Sequence, residues 1–395
     1  MNSKERVNAA MSLQQPDRVP VMCQLSIGHY LVNCDVSPSD YWLHNETIVD
    51  CFVKLAQQYR FDGILINLPG RDPGADLYLN HIRQNPHDET IYWKNGRTCL
   101  CPTDDLPHES GGELVKLDDL DPDQLFYDDP HTLGGLKYPF YYDLEPYTWT
   151  EEGVFPRYVT AIIEGVIDRV GDTLSVHSEV FSPFTQLMER LGYEEGLMAL
   201  LTDADKCHAI LERFAAGAGA LARLQAGRGV DAVLISSAFA GGGFISRKTY
   251  ETFVLPYEKL VVDAIHHAGK KAYTHTCGAI GDRLELMQAT GIDGIDTMDP
   301  PPLGDTELVD AKQRVGDKLF LKGNIDSVNV LLKGTYQQCR ESAINRLEAA
   351  KAGGGYILSS ACSVSPRVPP ENLTVLVEAS KKYGMPGQET VPIYR

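Results

Sequence analysis

His275 and Cys277 stand two residues apart at the end of one apolar run, and Cys362 stands at the end of another. Residues two apart on an extended strand point the same way, so His275 and Cys277 are able to share one ligand. Imidazole nitrogen and thiolate sulfur are donors that Zn²⁺ binds in tetrahedral geometry. Three protein donors with an open fourth position mark a catalytic zinc and not a structural one. The competing reading is a buried histidine beside inert thiols, since cysteine is commonly buried. Glu179, in His177-Ser178-Glu179-Val180-Phe181, is either a fourth ligand or a polar contact to substrate. Asp296 and Asp299 are weaker fourth-ligand candidates.

Other residues are candidates for catalysis or substrate binding. His177 is expected to end the third apolar run, as an acid or base or as a satisfied core histidine. Asn324 and Asp326 are expected to end the seventh, where they hydrogen-bond substrate or build a turn. Arg71, in Gly70-Arg71-Asp72-Pro73-Gly74, would clamp a substrate carboxylate or sit in a surface turn. Tyr30, in the segment Leu25-Ser26-Ile27-Gly28-His29-Tyr30, is expected to touch substrate. Cys99 and Cys101 also share one side of a strand, but no histidine or second cysteine pair accompanies them, so burial explains them better. Gly241-Gly242-Gly243 lacks the lysine of a phosphate-binding loop and reads as a loop.

The elements that must hold these residues are short apolar runs, the pattern of parallel strands covered on both faces. Eight occur, at 19–25, 63–68, 173–177, 232–235, 271–275, 293–297, 318–322 and 355–359. Helical patterns alternate with them, at about 46–59, 156–170, 204–226, 246–268, 306–315, 336–352 and 371–383. Thr335 with Gln338 forms a capping-box signature, Ser246 a helix start, and Gly353-Gly354-Gly355 a helix stop. This alternation predicts one (β/α)₈ barrel over 1–395. A doubly wound open sheet is the alternative, but no Gly-x-Gly-x-x-Gly follows the first run. The strand ends at 275–277 and 362 then fall at the C-terminal mouth, where barrel chemistry sits. Residues of about 71–155 interrupt the alternation and are too long for a plain loop. Thr90–Trp93, Asn95-Gly96 and Thr98–Cys101 read as a β-hairpin. The stretch is read as an insertion after the second strand that roofs the active-site mouth.

Composition limits the partners. The chain has 395 residues and a formal net charge of −18, with 43% hydrophobic residues. An acidic surface without Lys/Arg blocks repels phosphate backbones and anionic lipid, so neither nucleic acid nor membrane is an expected partner. The polar start Met1–Arg6 and the lack of a long apolar run point to a cytoplasmic protein. Nine scattered cysteines point to free thiols.

The chain resembles the uroporphyrinogen decarboxylase superfamily over nearly its whole length. The resemblance lies in Arg6-Val7-Asn8-Ala9-Ala10, Pro16-Asp17-Arg18-Val19-Pro20-Val21, Ser182-Pro183-Phe184-Thr185, His275-Thr276-Cys277-Gly278, Lys322-Gly323-Asn324-Ile325-Asp326 and Cys362 ahead of Pro369-Pro370-Glu371-Asn372. Within it the chain is similar to the zinc-dependent methyltransferase branch, which includes methylcobamide:coenzyme M methyltransferases and corrinoid-linked demethylases. That resemblance implies a (β/α)₈ fold and Zn²⁺ on His275, Cys277 and Cys362. It also implies methyl transfer between a small O-, N- or S-methylated donor and a corrinoid (cobalamin) protein or thiol, with a homodimer as a further expectation. The decarboxylases of the family lack the triplet and carry an arginine-rich segment where this chain has Leu25–Tyr30. A cofactor-free decarboxylase is thus the alternative, and a non-catalytic barrel that binds a corrinoid or protein partner is the third reading.

Overall fold

The structure is a computed structural model that describes residues 1–109, 115–129 and 155–387. Its centre is a curled, seven-stranded, wholly parallel sheet. The strands are β1 (Gly63–Ile66), β6 (Ser175–Phe181), β7 (Ala232–Ser236), β8 (Lys271–Thr276), β9 (Gly294–Thr297), β10 (Phe320–Ile325) and β11 (Tyr356–Ser360), in that spatial order. Helices between them cover the outer face, so β7, β10 and β11 are buried along their whole length. That double burial is why these segments read as apolar runs.

The expected first strand, 19–25, forms only isolated bridges, Val21 to Leu358 and Leu25 to Val364, and no ladder. Pro20 has no N–H to donate, and the Val19 N–H goes to the Gly384 carbonyl. The segment still touches both edges of the sheet: Leu358 N–H donates to Pro20 O at 2.9 Å and Asp62 N–H to Val21 O at 2.8 Å. The N-terminal helix Ser3–Met11 closes the curl from below. Its Val7, Ala10 and Met11 pack on Met22, Leu65, Leu234, Tyr273, Phe320 and Ile357. Arg6 and Arg18 both pair with the fully buried Asp62, at 2.8 and 2.9 Å. Two of the N-terminal resemblance residues are therefore structural ties.

Local signals held where caps decide. Thr335 and Gln338 form a reciprocal capping box, Ser246 accepts from Thr249 N–H, and Gly353, Gly354 and Gly355 have φ of 75°, 75° and 69°. The single helix expected at 246–268 is two, Arg247–Phe253 and Leu255–His267. Pro256 in the first turn of the second leaves no N–H to continue the first. After β1 comes an antiparallel sheet of β2 (Leu79–Gln84), β3 (Asp88–Trp93), β4 (Thr98–Pro102) and β5 (His108–Glu109). The hairpin expected at 90–101 is the β3–β4 pair. Residues 110–114 and 130–154 of the expected insertion lie outside the described residues. No helix among the described residues is long and apolar enough to cross a membrane.

One buried acid gives a test of the packing. Glu258 is 1% exposed, and burial pushes its carboxyl up to about 7 although the Tyr250 hydroxyl donates to it at 3.2 Å. A raised pKa stabilises the fold below the unfolded value near 4.5, and that stability is lost as pH rises through about 7. Glu258→Gln removes the ionisation. The gap in unfolding free energy between variant and parent should move toward the variant by on the order of 2–3 kcal/mol from pH 5 to pH 8. Denaturant unfolding at both pH values measures it, and equal pH slopes would refute the assignment.

Candidate metal centre

Strand register brings the chemistry together. His275 in β8 lies opposite Asp296 in β9, which lies opposite Lys322 in β10. Cys277 leaves β8 just before Gly278, whose φ of 76° turns the chain. The Gly278 N–H donates to Asp299 at 2.7 Å and fixes that turn. Cys362 follows β11. Its N–H donates to Ser327 Oγ at 3.0 Å, and that hydroxyl returns a bond to the Cys362 carbonyl at 3.1 Å.

The donor atoms of His275, Cys277 and Cys362 all lie within 4.8 Å of one another. Cys277 Sγ is 3.4 Å from His275 Nε2 and 3.6 Å from Cys362 Sγ. Tetrahedral ligands at about 2.3 Å for sulfur and about 2.05 Å for nitrogen stand about 3.8 Å (S to S) and about 3.6 Å (N to S) apart. The residues present therefore fit a tetrahedral zinc. On the far side of the ring, His275 Nδ1 donates to Asp296 at 3.4 Å. That bond puts the second ring proton on Nδ1 and leaves Nε2 free as a donor atom toward the sulfurs. Lys322 Nζ in turn grips both Asp296 oxygens, at 2.8 and 2.9 Å.

Charge follows from this packing. Burial opposes a charged His275, but hydrogen bonds and negative charge from Asp296 and Cys362 outweigh it and raise its pKa to about 10. Cys277 is held protonated, chiefly by its bond to Cys362, and burial adds to this. Cys362 is held as thiolate by the same bond and by His275, against burial. Burial also works against ionisation of Asp296, yet Lys322 and His275 keep it below the ordinary carboxylate range. A metal bound by such donors releases their protons.

A cavity of about 340 Å³ opens on the cluster, bordered by Glu179, Gln24, Asn67, Phe181 and the Asp104–Leu106 stretch after β4. The sequence-predicted residues divide here. Glu179 lies inside β6, not past it, and lines the cavity, but it is outside the three-donor group. Burial pushes its carboxyl up to about 7. Asp299 is pushed up to about 6 by burial and holds the Gly278 turn.

The other expected contacts are placed elsewhere. His177 is in mid-strand and fully buried, with its ring nitrogens 2.8 Å from the Tyr273 hydroxyl and 3.1 Å from Ser175 Oγ. Burial takes its pKa down to about 4, and it is not among the cavity-lining residues. Asn324 lies within β10 and donates to the Met298 and Thr306 carbonyls. Asp326 caps the turn that follows by accepting from Val328 and Asn329 N–H. Arg71 does not line this cavity, and it is buried and not in a surface turn. It is 1% exposed, with its guanidinium 5.5 Å from the Trp42 ring centre. Tyr30 packs on Phe52 at 4.5 Å between ring centres, in the core. These five do not line the cavity, because strand register and helix facing, which set side-chain direction, are not written in residue type. Cys99 and Cys101 are buried, as expected.

The sequence reading missed Lys322, Gln24 and Asn67. For Lys322 a signal existed: a lysine inside the apolar run Phe320-Leu321-Lys322 needs a buried anion. Gln24 and Asn67 sit at ends of apolar runs, facing the mouth, and residue type alone does not separate them from turn residues.

The family described as uroporphyrinogen decarboxylase (URO-D) matches residues 143–383. Methylcobamide:CoM methyltransferase MtbA of Methanosarcina mazei is 28% identical over 218 residues, which cover 55% of this chain and 60% of that protein. A uroporphyrinogen decarboxylase of Legionella pneumophila is 30% identical over 191 residues, 46% of this chain and 50% of that protein. The chain thus matches between half and three-fifths of the length of these relatives. A solved methyltransferase from Methanosarcina mazei superposes with a TM-score of 0.71 over 97% of this chain and 99% of its own, at 16% identity, a likeness of fold.

Proposed function

We propose, since this chain belongs to the uroporphyrinogen decarboxylase (URO-D) family, that it is a zinc-dependent methyltransferase. It moves a methyl group between a small O-, N- or S-methylated substrate and a corrinoid protein or thiol. The observation that carries this reading is the spacing of three donors, 3.4 Å from nitrogen to sulfur and 3.6 Å from sulfur to sulfur. His275 Nε2, Cys277 Sγ and Cys362 Sγ would hold the zinc, with Glu179 beside it as a displaceable contact. Bound there, zinc supplies Lewis acidity that keeps a thiol as thiolate near neutral pH or polarises the heteroatom carrying the methyl group.

The chain's own residues do the rest. Asp296 orients His275 and fixes its tautomer, and Lys322 keeps Asp296 ionised. Asp299 and Ser327 pin the backbone at the two cysteines, so the sulfurs do not drift. Glu179, with its carboxyl near pH 7, is able to hold or pass a proton in the cavity. Methyl transfer is an in-line displacement, so alignment of donor and acceptor dominates its rate. In this reading the parallel sheet and the 19–25 segment form one (β/α)₈ unit, and the insertion from about 71 to 155 roofs its mouth.

A polycarboxylate decarboxylase needs cations around its substrate. Among the described residues that line the cavity none is arginine or lysine, which favours methyl transfer over decarboxylation. The test is a spectrophotometric assay with reduced cobalamin and a panel of methoxy, methylamine and methylthio compounds. Methylation is expected with at least one class, to stop after chelation and to return with Zn²⁺. A rate unchanged by complete metal removal refutes the reading.

A further inference from the structure

We infer that residues 103–107, which join β4 to β5, form a strap that sets the size of molecule reaching Cys277 and Cys362, with Leu106 as its deciding side chain and Gly28 as the residue that lets it seat. This deepens the proposed methyl transfer by naming the part of the chain that selects substrate by bulk, and it rests on that reading for the word substrate alone.

The first observation is reach. The strap belongs to the antiparallel sheet after β1, yet Asp104, Asp105 and Leu106 border the cavity that opens on His275, Cys277 and Cys362. Leu106 is the strap's large apolar side chain there, and it also packs against the hydrophobic core. Ile27 continues that apolar wall, and Phe181 borders the cavity from the β6 side. The cavity holds about 340 Å³, near the lower end of ligand pockets, which run from about 300 to 1,000 Å³. A few carbons added to its wall or taken from it thus change what enters.

The second observation is fit. Gly28 stands in the first turn of the helix Ile27–Cys34, where alanine is the better helix former. A Cβ at this position would meet the Asp104 carbonyl oxygen at 2.1 Å and Pro366 Cγ at 2.6 Å. The close approach of the strap is what glycine permits here. His29 Nδ1, one residue on, lies 3.0 Å from the Ser365 carbonyl oxygen, which ties the same helix to the loop after Cys362. The Thr103 hydroxyl donates to the His87 carbonyl at 3.2 Å, and Arg367 pairs with Asp104 at 2.6 Å. The Arg367 side chain is 72% exposed, so that pair adds little, and packing holds the strap in place. Closely packed elements answer a change of volume by shifting, because they have little free space to absorb it.

The test reads entry to the cavity by labelling. Cys277 and Cys362 line it and are partly exposed, while the other seven cysteines are buried. Metal-free full-length protein is treated with methyl, benzyl or pyrenylmethyl methanethiosulfonate, and peptide mass spectrometry follows the products at both residues. A thiolate attacks the reagent sulfur, a disulfide forms and methanesulfinate leaves. One methylene in an apolar pocket is worth about 10–200-fold in discrimination. Relative to the methyl reagent, Leu106→Ala should speed pyrenylmethyl labelling at least tenfold, and Leu106→Trp should slow benzyl labelling at least tenfold. Gly28→Ala, which pushes on the strap without burdening the helix, should speed pyrenylmethyl labelling at least threefold. Ratios within twofold of the parent in both Leu106 variants overturn the inference. In zinc-loaded protein, calorimetry should show that Leu106→Trp weakens phenylmethanethiol at least tenfold more than ethanethiol. An equal loss for both thiols overturns the inference as well. If neither thiol binds the loaded parent, the methyl-transfer reading fails, and the labelling ratios still decide the role of the strap.

Discussion

Replacing Cys362 with alanine is expected to weaken zinc binding at least 100-fold, or about 2.7 kcal/mol, while the fold survives. Loss of a residue that merely orients a ligand costs 10–100-fold, and loss of a ligand should exceed that. Cys362 sits after β11 and is partly exposed, so the shortened side chain leaves little void in the core. Its bonds to the Ser327 hydroxyl run from its own N–H and carbonyl, so they persist. Competition with a chromophoric chelator gives the affinity, and circular dichroism checks the fold. Cys277→Ala should behave alike, because its sulfur stands 3.6 Å from that of Cys362. Cys339→Ala, a buried thiol away from the cluster, should keep parental affinity. If either site variant binds zinc as the parent does, the ligand set is wrong.

Lys322→Met should lower stability by on the order of 3–5 kcal/mol, the cost of leaving one partner of a buried ion pair alone. Lys322 and Asp296 are each 1% exposed, and Lys322 contacts both carboxylate oxygens. Without the ammonium, burial drives Asp296 toward its protonated form. A protonated Asp296 no longer holds the Nδ1 proton of His275 as an anion does, so zinc affinity should also fall 10–100-fold. Lys322→Met with Asp296→Asn removes both charges. It should recover much of the stability, since replacing both members of a buried pair is often neutral, and little of the zinc affinity. Unfolding is measured in chelator, so that metal binding does not add to stability. If the single and double variants have equal stability, Asp296 is not the charge that Lys322 neutralises.

How far the residues announced this arrangement depends on what fixes each feature. Seven of the eight expected strands are ladder-forming strands, since a parallel strand buried on both faces has to be an apolar run. The eighth, 19–25, is apolar for the same reason, but Pro20 denies it a ladder. Cys277 was legible from His275 because two-residue spacing on a strand is local geometry. Cys362 was legible only through its place at another strand end. The apolar run 173–177 leaves Glu179 just past its strand, yet Glu179 lies within it, since β6 runs on to Phe181 through residues whose polarity resembles a loop. His177, Asn324, Asp326, Arg71 and Tyr30 have plausible chemistry but do not line the described cavity, and what decides this is the direction a side chain takes after register and packing are set. The Asp296–Lys322 pair lies in one strand row with His275, and cross-strand register is not a property of either segment alone.

The claim on which all of this rests is that one zinc is shared by one imidazole and two thiolates from two strand ends. X-ray absorption at the zinc edge of the purified, zinc-loaded protein tests it most directly. The account predicts about one zinc per chain, with two sulfurs at about 2.3 Å and nitrogen or oxygen neighbours at about 2.0–2.1 Å. A shell of nitrogen and oxygen alone, or zinc that never rises above trace content, would contradict it.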